Sequence, residues 1–168
     1  MPGLTLVRVG GTSDRPGEPA MAKHLSAEID IAAPPERVWA DLTDLRAYPE
    51  WNPFIVRAEG DVVRGARLSL RMQPVGGRAL TLRPRLLAAD PPRELRWLGR
   101  LVLPGLMDAE HAFRLEPSGA GTRLVQEETF RGVLVPVVAR SLDRGTLPAF
   151  EAMNRALRER VERSLAQG

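Results

Sequence analysis

From Leu25 to Ile31 the chain alternates. Leu25, Ala27, Ile29 and Ile31 are apolar, and Ser26, Glu28 and Asp30 separate them. A period of two predicts a strand with one buried face. Pro34-Pro35 then pre-sets backbone angles for a helix start. Val38, Leu42 and Leu45 follow at helical spacing, which predicts a short amphipathic helix with Trp39 beside its apolar face. The run Tyr48-Pro49-Glu50-Trp51-Asn52-Pro53 is expected to break that helix, because each proline disfavours helix in the residue before it.

Between Phe54 and Arg131 the pattern is strand, turn, strand. Phe54–Glu59 leads to a turn at Gly60-Asp61. Leu68, Leu70 and Met72 alternate with polar neighbours before Gly76-Gly77, and Leu80 and Leu82 alternate until Pro84, which predicts a bulge or an edge. Leu95 and Trp97 share one face. His111, Phe113 and Leu115 share another, and a hairpin loop at 118–121 returns the chain through Leu124–Phe130. Short strands joined by tight turns predict an antiparallel meander of six or seven strands, counting the first. The period then changes. Leu142, Thr146, Phe150, Met153, Leu157 and Val161 lie three or four apart, opposite a face rich in arginine and glutamate. This predicts one long amphipathic helix, or two pieces joined near Gly145, because Pro148 disturbs a helix interior. The fold class is therefore α+β.

Residues 1–22 are rich in helix and strand breakers, with Gly10-Gly11 and Pro16-Gly17-Glu18-Pro19. They are expected to be a flexible tail, with Met21 a plausible alternative start and residues 23–168 the single domain. Composition adds little that changes this picture. Apolar residues make up 43% and charged residues 27%, as in ordinary globular domains. The chain has no cysteine, which excludes disulfides and thiolate chemistry. It has no apolar run of membrane-span length and no signal-peptide pattern, so the expected location is cytoplasmic. The pI near 10.4 coexists with a net charge of only +3, because nearly every cation is arginine and Lys23 is the sole lysine. No basic cluster with interleaved aromatics points to nucleic acid, and none is expected as a partner.

The order of elements resembles the START-like, or SRPBCC, superfamily with its helix-grip fold. Three segments carry the resemblance. Ile29-Asp30-Ile31-Ala32-Ala33-Pro34-Pro35-Glu36-Arg37-Val38-Trp39 is similar to the family opening. Leu42-Thr43-Asp44 with Tyr48-Pro49-Glu50-Trp51-Asn52-Pro53 resembles the next signature, and Phe150-Glu151-Ala152-Met153-Asn154 resembles the closing helix of bacterial polyketide cyclase/dehydrase-type members. The resemblance spans residues 24–165. It implies a curved antiparallel sheet wrapped around the last helix, with two short helices after the first strand and an apolar cavity between sheet and helix.

The residues expected to line that cavity are Leu70, Met72, Leu82, Trp97, Phe113 and Phe130 from the sheet. Phe150, Met153 and Leu157 are expected to face them from the helix, each being an equally natural core residue. Trp51, His111 and Asn154 are also expected at its wall. The apolar links 102–107 and 132–138 are expected at its lips, with a homodimer contact as the alternative. No nucleophile elbow, phosphate loop, dinucleotide fingerprint or metal-binding helix motif occurs, and no metal or cofactor is expected.

One polar constellation stands out. His111 shares a face with Phe113. Pairing its strand with the next through the 118–121 loop places Glu128 opposite, or Glu127 if the register shifts by one. A carboxylate beside an imidazole is suited to general acid–base work, or to mutual satisfaction of two buried polar groups. Asn154, near the apolar helix face, is the third weak catalytic candidate. Three functions remain open on the sequence: a carrier of a hydrophobic small molecule such as a lipid, isoprenoid or polyketide-like ligand; a cofactor-independent polyketide cyclase or aromatase, as the resemblance implies; and an interaction protein whose cavity has collapsed.

Overall fold

The computed structural model describes residues 22–100 and 103–167. The tail expected at 1–22 lies outside the described residues except for its last position. Ala22 opens strand β1 (Ala22–Ile31), which buries Leu25, Ala27, Ile29 and Ile31 as the alternation dictates. Helix α1 (Pro35–Thr43) starts with Pro35 in its first turn, where a missing N–H costs nothing, and buries Val38 and Leu42. Two short helices follow the first strand, as the resemblance implies, and helical structure stops inside the proline run, at Trp51. After a single 3-10 turn at Leu45–Ala47, a short helix α2 (Tyr48–Trp51) forms, because Pro49 falls in its first turn, where its ring is tolerated. Asn52 closes that helix. Its Oδ1 accepts from the backbone N–H groups of Phe54 (3.0 Å) and Ile55 (2.8 Å) and launches β2 (Ile55–Glu59).

Among the described residues there are eight strands, rather than six or seven. After β2 come β3 (Ser69–Met72), β4 (Leu80–Leu82), β5 (Arg85–Asp90), β6 (Glu94–Arg100), β7 (Asp108–Ser118) and β8 (Gly121–Arg131). All pairings between them are antiparallel. The orders are β1-β8-β7-β6-β5 and β2-β3-β4. Pro84 separates β4 from β5. Residues 65–68 bond across to 84–86, with Leu68 N–H donating to Pro84 O and Leu86 N–H to Ala66 O, so the two segments form one curved surface.

Helix α3 (Val135–Ala166) runs unbroken for 32 residues, about 48 Å at 1.5 Å per residue. Pro148 lies inside it and removes one backbone bond without splitting the helix at Gly145. The helix also starts earlier than its periodic apolar face suggests. Residues 135–138, expected in a loop, form its first turn, and Val137 is exposed. Before it, Val133 and Leu134 donate backbone N–H groups to Gly105 and Leu106. Gly132 permits this approach: it has φ 135°, and a Cβ there would collide with the Leu106 carbonyl.

The core sits between the sheet and α3, with Leu95, Phe113, Leu124, Phe150, Met153 and Leu157 all buried. Among the described residues, no helix is long and apolar enough to cross a membrane, and no group of three metal-ligating side chains converges.

Candidate functional site

The grip is filled at one end and open at the other. The filled end is an aromatic stack that follows from strand register. Trp97 on β6 lies opposite His111 on β7. Directly opposed side chains in an antiparallel pair meet, and here the two rings stack in parallel, 4.8 Å apart with a 6° interplanar angle. Phe150 of α3 meets His111 edge-on at 5.0 Å, and Phe54 meets Phe150 at 5.7 Å. His111 is fully buried by these neighbours.

Its polar atoms face two groups on β8. The register sets Glu128 directly opposite, with Oε2 3.7 Å from Nδ1. Gln126 is the diagonal neighbour, and its Nε2 lies 3.2 Å from His111 Nε2. An imidazole carrying its hydrogen on Nδ1 accepts this amide hydrogen bond on Nε2. Its Nδ1 has no hydrogen-bond partner, since 3.7 Å is beyond bonding range. Gln126 is also fully buried. Its amide touches Met153 Sδ at 3.7 Å, and its Oε1 has no partner.

Glu127 points to the other face of the sheet, where it pairs with Arg114 (2.6 Å) and lies 3.7 Å from His24. The unshifted register therefore decides between the two glutamates. Gln126 escaped the sequence reading, although it sits on the same period-two face as Leu124 and Glu128, the signal that marked Glu128.

The open end is a cavity of about 630 Å³ between the β3–β4 turn, the ends of β6–β8 and the N-terminal half of α3. Met72, Leu82 and Phe130 line it, joined by Phe54, Leu80, Met107, Ala109 and Leu142. Glu128 also lines it. This carboxylate therefore stands between the cavity and the buried imidazole. Pro74-Val75 roofs the space against α3, with Val75 N–H donating to Gly145 O at 3.4 Å. Gly145 lets the strap approach: a Cβ there would already be in van der Waals contact with Val75 O at 3.5 Å.

Other expected cavity residues are placed elsewhere. Leu70, Trp97, His111, Phe113, Phe150, Met153 and Leu157 do not line the cavity. They interlock to close its inner end, because large side chains on both layers meet at that depth. Asn154 turns away toward β1, donating Nδ2 to Ala27 O at 3.3 Å, and does not join His111. Trp51 packs edge-on against Tyr48 at 5.1 Å, in a separate polar depression with Asp41, Glu50 and Arg160. It is carried there because α2 lies beside the C-terminal half of α3. Of the two apolar links, Met107 reaches the cavity, whereas residues 132–138 do not line it.

Residues 22–165 match the family model described as polyketide cyclase/dehydrase and lipid transport. The chain belongs to this family. Among solved structures, the Zhui aromatase/cyclase from Streptomyces sp. R1128 is similar, with a TM-score of 0.71 and 23% identity over 86% of this chain and 96% of that one. A protein of Thermus thermophilus gives a TM-score of 0.68 and 20% identity, covering 84% of this chain and 99% of its own length. The di-domain ARO/CYC StfQ from the steffimycin biosynthetic pathway gives 0.71 and 14%, covering 87% of this chain and 53% of its own length. Likeness at these identities establishes the helix-grip fold. No curated protein matches the chain in sequence.

Proposed function

We propose that this family member binds a hydrophobic small molecule, lipid-, isoprenoid- or polyketide-like, in the cavity between its sheet and α3. The observation that carries the reading is the cavity itself. It measures about 630 Å³, within the range of drug-sized ligand sites, and its wall exposes more apolar than polar surface. A collapsed interior, as the interaction reading requires, would leave no such space. The likeness to aromatase/cyclases and the family's span of cyclases and lipid carriers agree with a ligand of this kind.

A second reading has one observation in its favour. Glu128 reaches the cavity and lies beside His111, so a ligand could exchange a proton with the carboxylate while the imidazole stays sealed behind it. That would make the protein a cofactor-independent cyclase or aromatase with Glu128 as the acid–base group and His111 as its positioning residue. Carriage is favoured over catalysis because His111, with no exposed surface, cannot itself touch a ligand. Asn154 is committed to β1.

The test is binding of a neutral environment-sensitive dye, N-phenyl-1-naphthylamine, with an expected affinity in the micromolar range. Ala109→Trp should fill the cavity and weaken that binding at least about tenfold, equivalent to about 1.4 kcal/mol, while leaving the fold intact. A folded protein that binds no apolar probe would refute the proposal. Turnover of an aromatic polyketide precursor, lost in Glu128→Gln, would move the assignment to the cyclase reading.

A further inference from the structure

The mouth of the cavity carries charge for which an apolar ligand has no use. Four of its lining residues are arginines, Arg78, Arg100, Arg140 and Arg144, and the one acidic lining residue is Glu128. They come from three separate elements: the β3–β4 turn, the end of β6 and the second and third turns of α3. All four arginines are exposed at the rim, whereas Glu128 is buried at the inner wall, 6% exposed. The space is therefore positive at its entrance and negative inside.

The rim cations are also poorly neutralised. Arg100 lies 3.7 Å from Asp108. Arg78, Arg140 and Arg144 have no ion-pair or hydrogen-bond partner among the described residues. Arg140 and Arg144 stand four apart on one helix, a spacing at which like charges repel. The nearest acid in sequence, Asp143, is engaged by Lys23 at 2.8 Å and gives no relief. A guanidinium presents a planar fork that fits carboxylate, sulfonate or phosphate oxygens. Unpaired forks around an apolar hole are suited to one kind of guest.

We propose that the ligand is an amphipathic anion whose apolar body fills the cavity and whose acidic group rests at the arginine mouth. Glu128 sets its direction. A buried carboxylate repels an acidic group inserted first and accepts a hydrogen bond from a hydroxyl at the ligand's inner end. The inference deepens the binding reading and rests on it.

The experiment uses two dyes with the same aromatic body, neutral N-phenyl-1-naphthylamine and anionic 1-anilinonaphthalene-8-sulfonate. Each is titrated into the wild-type chain and into Arg140→Gln/Arg144→Gln. The substitutions are at exposed positions, and circular dichroism confirms the fold. The double variant should bind the anionic dye about tenfold more weakly, as expected for two exposed charge pairs lost together, and the neutral dye within about twofold of wild type.

Raising salt should weaken the anionic dye alone. A control, Arg155→Gln/Arg163→Gln, removes the same charge from the part of α3 away from the cavity and should hold the anionic dye within about twofold. Equal effects of the rim variant on both dyes, no effect on either, or an equal loss in the control would overturn the anion inference while leaving the cavity reading intact. Failure of the neutral dye to bind folded wild type would overturn both.

Discussion

His111 and Gln126 should behave as one polar unit. Both are fully buried, and their one mutual contact is the 3.2 Å bond between Nε2 atoms. Replacing His111 with Phe keeps an aromatic ring in the slot between Trp97 and Phe150, but it leaves the Gln126 amide with only the weak Met153 Sδ acceptor at 3.7 Å on Nε2 and nothing on Oε1. An orphaned buried donor costs about 1–3 kcal/mol. Gln126→Leu alone removes the amide and strands the imidazole, whose Nδ1 is already unpartnered, at a similar cost.

Making both changes removes every stranded group except Glu128, which keeps contact with the cavity. The double variant should therefore be more stable than the two single losses predict, with a coupling of about 1–2 kcal/mol. Urea unfolding of the four proteins measures it, and in thermal melts each 1 kcal/mol corresponds to about 2–4 °C for a chain of this size. Single losses that add to within about 0.5 kcal/mol would refute the reasoning. Neither residue lines the cavity, so dye affinity in the double variant should stay within about twofold. A large loss of binding would mean that His111 serves the ligand.

Asn52→Ala should cost about 2–4 kcal/mol in urea unfolding, because two buried backbone N–H groups lose their acceptor together; a loss under about 1 kcal/mol would contradict the geometry. Tyr48, the sole tyrosine, donates to Leu42 O at 2.7 Å, and burial pushes its hydroxyl pKa well above the usual range. The folded state thus holds a proton that the unfolded chain releases near pH 10, so Tyr48's contribution to stability should be constant below about pH 10 and fall above it. Tyr48→Phe should flatten that fall, checked by denaturant unfolding across the alkaline range. Gly145→Leu should push the Pro74-Val75 strap outward and change dye affinity by about fivefold or more with little change in melting temperature, since Ala is the largest side chain that fits without displacing Val75. Deleting residues 1–20 should shift the melting temperature by less than about 5 °C, as a chain segment with little apolar surface to bury contributes little.

The sequence by itself determined the elements. Alternation at Leu25–Ile31 and from His111 to Phe130, then a helical period through Val161, specified an antiparallel sheet and a long helix, because a period of two or of 3.6 can bury its apolar face in only one kind of element. It also narrowed the partner of His111 to Glu128 or Glu127, and the register of β7 with β8 in the folded sheet decided for Glu128. Only the tertiary structure decided which apolar side chains fill and which enclose. Trp97, Phe150 and Met72 read alike along the chain, yet the first two close the grip and the third lines it, because depth along α3 depends on how the curved sheet crosses the helix. Trp51 and Asn154 carry no sequence mark of the side to which they turn. The arginine mouth is assembled from a turn, a strand end and a helix distant in sequence. No local pattern records that convergence, because it arises only when the sheet folds back over α3.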